Sequence, residues 1–286
     1  MGMTTHTIQI DGVVQRYHVH GQGPVCLMHS GGPGIAWEYL RMPEVEQHVT
    51  AVYVEPVGTP GADQLPKHPH GYTRERYAKS IDAVLDDLGE AKAYMLGHSH
   101  GGFVAQHYAL TRPSRLNGVI LYDSAPVTGP ELFAEAQSKF DEFTARYKGN
   151  PGLPDVVKAW EALPTADSDE TTTQVVRALL PVYFKDYWAH EAELAPVRAG
   201  VRGNHISGLD DNLEPEVIDD RDTLGLLSVP ALVIVGLYDF ICGPRWAREL
   251  HDRIPESTLV ALADSGHFGH IEQPDAFAEA ITDFTR

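Results

Sequence analysis

Two hydrophobic patterns alternate along the 286-residue chain. Short, almost wholly apolar runs occur at 25–28, 51–54, 94–96, 119–122, 231–235 and 258–262. A strand that is apolar at every position is covered on both faces. Between these runs lie segments with apolar residues at helical spacing. Tyr77, Ile81, Val84, Leu85 and Leu88 form one stripe, with Thr73 placed to cap the helix and Gly89 to end it. Residues 103–110, 245–253 and 275–284 read as helices too. Near the start, Ile8 and Ile10, the pair Asp11-Gly12 and residues 13–19 predict a β-hairpin. This alternation predicts an α/β fold with a mostly parallel central sheet and helices on both faces.

The pattern changes between residues 128 and 222, where helical spacing continues without strands. Phe133, Phe140 and Phe143 are spaced for one helix face, 156–163 for a short helix and 175–188 for a longer one. Prolines at 151, 154, 164, 181 and 196 act as breaks. The expected organisation is a core formed by 1–127 and 223–286, with a helical cap at 128–222 whose aromatics make its own interior. No repeat, low-complexity tract or linker interrupts it.

Composition narrows the partners. With 22 Lys and Arg against 40 Asp and Glu, the formal charge of −18 repels nucleic acid and anionic membrane surfaces. A small-molecule substrate is the expected partner, and oligomeric state is not legible. Two cysteines, Cys26 and Cys242, stand in apolar settings and imply no disulfide framework. The first six residues lack the basic and apolar segments of a signal peptide, and no apolar run has the length of a membrane span. The expectation is a cytoplasmic protein.

Candidate chemistry centres on Gly97-His98-Ser99-His100-Gly101, which follows an apolar strand and opens a helix. A strand–turn–helix of this form holds its serine in a strained conformation with the hydroxyl thrust outward, and the flanking glycines relieve collisions. Ser99 is the candidate nucleophile. A weakly acidic hydroxyl needs a base, and the base needs an anion to fix its tautomer. Asp239 and His267 each follow a predicted strand, in the order serine, acid, histidine. A glycine loop, Gly31-Gly-Pro-Gly34, directly follows the strand at 25–28. It exposes backbone N–H groups at the sheet edge where ligands bind in α/β folds.

Together these residues resemble the α/β-hydrolase superfamily over nearly the whole chain. The run Gly266-His-Phe-Gly-His-Ile-Glu-Gln-Pro is similar to the family's segment around its catalytic histidine, and Asp239-Phe-Ile-Cys-Gly-Pro244 to its acid loop. Gly31-Gly-Pro-Gly34 resembles the proline iminopeptidase branch and, almost equally, the carbon–carbon bond hydrolases. The chain departs from the iminopeptidase pattern in three places. Ser30 stands where that branch has histidine, Val54-Glu-Pro-Val-Gly58 replaces an Asp-Gln-Arg-Gly segment, and His100 replaces a tryptophan.

The resemblance implies a serine hydrolase without cofactor, cleaving an ester, lactone or amide. Ser99, His267 and Asp239 form its triad, and the backbone N–H groups of Gly32 and His100 its oxyanion hole. Gly31 is the alternative donor if the loop is shifted by one. An iminopeptidase, a C–C bond hydrolase or a non-catalytic receptor on the same fold are the other readings. No metal is expected, despite His98-x-His100, His18-x-His20 and His68-x-His70: His98 and His100 flank the nucleophile, and no Cys or carboxylate stands at ligand spacing beside them. His270 is read as a packing residue and Glu55 as a solvated loop carboxylate.

Overall fold

The computed structural model describes residues 2–286. Among them, strands β1 (Thr4–Ile10), β2 (Val13–Gly21), β3 (Val25–His29), β4 (Thr50–Val54), β5 (Ala93–His98), β6 (Leu116–Tyr122), β7 (Ala231–Gly236) and β8 (Ser257–Leu262) form one sheet in the order β1-β2-β4-β3-β5-β6-β7-β8. The first two ladders are antiparallel and the rest parallel. The opening hairpin turns on Asp11 and Gly12, both at positive φ (53° and 81°), as a tight two-residue turn requires.

Helices α1 (Arg74–Leu88), α2 (His100–Thr111), α3 (Pro130–Arg146), α4 (Leu153–Ala162), α5 (Asp169–Leu179), α6 (Glu191–Gly200), α7 (Pro244–Arg253), α8 (Gly269–Glu272) and α9 (Pro274–Thr285) fill the connections. Strand residues alternate between two cores. Leu27, Val52, Met95, Leu121 and Val233 join α1, α2 and α7, whereas Met28, Tyr53, Leu96, Ile120 and Ile234 join α9. Both faces are covered, so the strands carry apolar residues at successive positions. α1 begins and ends where its sequence indicates. The Thr73 hydroxyl accepts the Arg76 N–H, and Gly89 closes the helix at φ 73°.

The stretch between β6 and β7 carries α3 to α6 and differs from expectation in three ways. The helix expected at 175–188 ends at Leu179, because Pro181 has no N–H to continue the ladder; a 3-10 turn at Leu180–Tyr183 follows. Helix does not persist to 222. Beyond α6 the chain runs irregularly across the core, pairing at Ile35↔Gly203 and Val127↔Asp219. Phe133 is 51% exposed, and Leu132, Ala136, Phe140 and Phe143 face inward instead.

These helices are anchored beside the acid and the histidine. Phe240, the residue after Asp239, packs with Phe140, Phe143 and Leu179, while Phe268, the residue after His267, packs with Leu180, Phe184 and Tyr187. Acid and histidine turns meet at Gly236, the end of β7. A Cβ there would lie 1.9 Å from the Gly266 carbonyl oxygen and 2.6 Å from that of Ser265. Backbone atoms cannot give way without separating the two loops. Gly236→Ala is therefore expected to lower stability by at least about 2 kcal/mol in urea unfolding. Gly225→Ala, where the nearest atom lies at 3.9 Å, should leave it nearly unchanged.

Candidate active site

Ser99 joins β5 to α2 at φ 55° and ψ −119°, a conformation that a residue with a Cβ adopts only when its surroundings impose it. They do so by close approach. A Cβ on Gly97 would lie 2.1 Å from the Gly101 carbonyl oxygen, and one on Gly101 would lie 2.3 Å from that of His29. The Ser99 N–H donates to the Tyr122 carbonyl (2.9 Å), and the Ser124 hydroxyl donates to the Ser99 carbonyl (3.0 Å). Ser99 stays half-buried, within reach of a ligand, whereas Asp239 and His267 are each 2% exposed.

Asp239 is held by its own turn. Its Oδ1 accepts the N–H groups of Ile241 (2.9 Å) and Cys242 (3.2 Å), and its Oδ2 lies 2.8 Å from His267 Nδ1. With that carboxylate accepting, the neutral imidazole carries its proton on Nδ1 and leaves Nε2 with a lone pair. The His267 N–H donates to the Tyr183 carbonyl at 2.7 Å, tying the histidine turn to the inserted helices. Among the described residues no hydrogen bond joins the Ser99 hydroxyl to the His267 ring. Such contacts are often long in an unliganded enzyme. His98, the neighbour of Ser99, makes the link instead: its Nε2 lies 2.8 Å from the His267 carbonyl oxygen, with the rings 4.5 Å apart.

The glycine loop lies against the serine. A Cβ on Gly31 would be 2.9 Å from Ser99 Cβ. Gly31 is not free as the alternative oxyanion donor, because its N–H donates to Tyr39 Oη at 2.7 Å. Gly32 is exposed, at φ 132°. Its N–H has no protein acceptor among the described residues. Nor has that of His100, in the first turn of α2, where helical N–H groups lack an internal partner.

The family model described as "alpha/beta hydrolase fold" matches residues 24–274. The chain belongs to the α/β-hydrolase fold family. It is 25% identical, over 99% of this chain and 98% of the relative, to a Bacillus subtilis (strain 168) protein provisionally named a 2-succinyl-6-hydroxy-2,4-cyclohexadiene-1-carboxylate synthase. It is 26% identical to a proline iminopeptidase of Saccharolobus solfataricus, over 94% of this chain and 86% of that one. A solved α/beta fold family hydrolase from Bacillus anthracis superposes with a TM-score of 0.74 at 20% identity, covering 99% of both chains. That likeness concerns the fold. No helix among the described residues is long and apolar enough to cross a membrane.

Against this α/β-hydrolase frame, several site residues went unread in the sequence. Asp123, at the end of β6 with φ 44°, is fully buried, and its Oδ1 accepts the Gly236 N–H at 2.8 Å. Burial, and then the neighbouring Asp239 carboxylate, push its carboxyl well above the usual range, while Asp239 has the more donors around it. An Asp at the carboxyl end of a buried strand was the available signal. Glu272 accepts the Gly266 and Lys185 N–H groups (2.7 and 2.8 Å), and burial pushes it up to about 7.

His270 is more than a packing residue. Tyr122 Oη lies 2.9 Å from its Nδ1, and its Nε2 lies 3.0 Å from the Tyr39 carbonyl oxygen. Burial lowers it to about 4 and leaves it neutral. Glu55 is not solvated. It is 6% exposed, paired with Arg16 at 2.9 Å and within 3.4 Å of His18. Burial alone would raise its carboxyl, but these partners outweigh that and hold it low. It joins β2 to the end of β4 rather than facing a ligand.

Atoms of His98, Asp123 and His267 that could ligate a metal lie within 4.8 Å of one another. They suit a cation poorly, because His98 uses both nitrogens and His267 its Nδ1 in hydrogen bonds. The upward shift of Asp123 has a testable sign. A carboxyl raised in the folded state contributes stability in full below its unfolded pKa and loses it as pH rises toward the folded value. Asp123→Asn, which keeps the shape and cannot ionise, should gain on the wild type by about 1 kcal/mol per pH unit above pH 4. Urea midpoints at pH 5 and pH 8 measure this, and a constant difference would show Asp123 to be charged.

Proposed function

We propose that this protein is a serine hydrolase that opens an ester, lactone or amide of a small neutral molecule through an acyl-enzyme. The observation that carries the reading is the buried Asp239–His267 hydrogen bond at 2.8 Å, held beside a serine at φ 55°. Ser99 Oγ attacks the carbonyl carbon as His267 Nε2 takes its proton. Asp239 keeps the Nδ1 proton in place and stabilises the imidazolium. Negative charge developing on the carbonyl oxygen meets the N–H groups of Gly32 and His100. His267 then returns the proton to the leaving group, and water attacks the acyl carbon by the same route. The segment 128–222 acts as the cap that shapes the substrate's space.

Proline iminopeptidase activity is the second reading, favoured by the 26% identical relative of that name. An aminopeptidase must hold an ammonium group with carboxylates, since a lone buried charge is costly. Six of the acidic residues of 128–222 are placed otherwise. Glu131 and Glu135 pair with Arg245, Glu191 and Glu193 are exposed, Asp210 holds the N–H groups of Asn212 and Glu214, and Asp211 is exposed. Asp123 and Asp239 next to the serine already serve the histidine and the backbone. This supports a neutral substrate.

Two experiments test the reading. Ser99→Ala should lose about 10⁴-fold or more in turnover while staying folded, and a fluorophosphonate probe should label the wild type alone; an alanine variant with most of its activity would refute the mechanism. For specificity, proline arylamide, its N-acylated form and an aryl ester of similar size should be compared. We expect the ester to be cleaved fastest and acylation to be tolerated. Fast cleavage of the free amine, abolished by acylation, would establish the iminopeptidase instead.

A further inference from the structure

A line of hydrogen bonds runs beneath the reacting groups, and its direction follows from its ends. The last acceptor is the His267 carbonyl oxygen, 2.8 Å from His98 Nε2. A carbonyl has no proton, so Nε2 carries one. Burial, then the nearby His267 and His270 rings, hold His98 well below the usual imidazole range, so the ring is neutral and its Nδ1 is a bare acceptor. Tyr39 Oη, 2.7 Å from that nitrogen, must donate to it. The same oxygen accepts the Gly31 N–H at 2.7 Å. Each group therefore has one proton to give and one place to give it, an arrangement in which neighbouring bonds strengthen one another.

The chain links four places, of which only the ends of the paired strands β3 and β5 are also joined by the sheet. Gly31 belongs to the loop after β3, Tyr39 to the 3-10 turn at Trp37–Leu40, and His98 to the end of β5; the acceptor is on the histidine turn after β8. A second branch braces it: the His270 N–H donates to Tyr122 Oη (3.2 Å), Tyr122 Oη–H to His270 Nδ1, and His270 Nε2–H to the Tyr39 carbonyl.

We propose that Tyr39 and His98 are positioning residues whose one-way hydrogen-bond chain sets the spacing between the oxyanion-hole donor of Gly32 and the base His267. This rests on the serine hydrolase reading. By taking the Gly31 N–H, Tyr39 orients the loop so that the next amide, that of Gly32, faces the substrate. By donating to the His267 carbonyl, His98 holds the base's backbone at a fixed distance from Ser99, its own neighbour. Because His98 is uncharged, it adds no repulsion when His267 becomes an imidazolium.

Tyr39→Phe deletes the central hydroxyl and leaves the ring contact with Phe268 at 5.6 Å. Loss of donor alignment is felt where charge develops, so kcat should fall roughly 10- to 100-fold with KM changed less than about threefold. Binding of a boronate that mimics the tetrahedral state should weaken by a similar factor, and a ground-state competitive inhibitor should bind as before. Nitrogen-15 NMR of labelled histidines, assigned with His98→Gln, reads the chain without turnover. His98 should be protonated on Nε2 and not titrate between pH 5 and 8, and His267 should be protonated on Nδ1. The variant with wild-type kcat, or with ground-state and tetrahedral ligands weakened equally, would overturn the proposal, as would a His98 protonated on Nδ1. A wild type that neither reacts with fluorophosphonate nor turns over any ester, yet shows the expected tautomers, would overturn the hydrolase reading and the positioning role built on it, while the hydrogen-bond chain itself would stand.

Discussion

The carboxyl edge of the sheet depends on glycines that let loops approach one another without a side chain of their own between. The Gly97–Gly101 contact lets β5 turn directly into α2, and Gly101 rests on the His29 carbonyl. Gly236 brings the acid turn against the histidine turn, and Gly31 brings the glycine loop against the serine. At Gly101 and at Gly236 a single methyl group would force apart strands that a parallel ladder fixes in register. The strain at Ser99 is sustained by this packing: the turn is over-determined on both sides, and the serine is left with φ 55° as the remaining solution.

Close approach also excludes water, and that decides the protonation of what lies inside. His98 and His270 are buried among Tyr39, Tyr122, His267 and Phe268, and burial keeps both neutral. Burial likewise raises the Asp123 carboxyl, with the neighbouring Asp239 adding to it. The Asp239 carboxyl gathers several donors: the N–H groups of Ile241 and Cys242 and the His267 ring. The result is a dry site in which neutral rings surround the Asp239–His267 pair.

The inserted helices are attached through the same residues. Phe240 and Phe268 give their side chains to apolar clusters of the insert, one position after the acid and the histidine. Tyr183 accepts the His267 N–H, and Glu272 gathers the N–H groups of Lys185 and Gly266. A shift of the insert is thus felt at the histidine turn.

Local rules made much of this legible in the sequence. The parallel strands could be read as apolar runs because burial on both faces removes the need for polar alternation, and α1 carried its own Thr73 and Gly89 signals. Ser99, Asp239 and His267 stood out because each follows a strand that can be identified by itself. Pro181 marked the end of α5, yet the apolar spacing on either side of it suggested a longer helix. What the sequence could not reveal depends on residues distant in the chain. Tyr39 becomes a partner of His98 through a separation of 59 positions, and Glu55 is buried because Arg16 and His18 on an antiparallel neighbour cover it. Asp123 differs from Asp239 in how many N–H groups surround each carboxyl after folding. Local sequence determined the strands, the turn and the order of Ser99, Asp239 and His267; only tertiary structure, through burial and contacts between distant loops, decided which carboxyl is raised, which nitrogen of His98 carries the proton and which glycine N–H stays free.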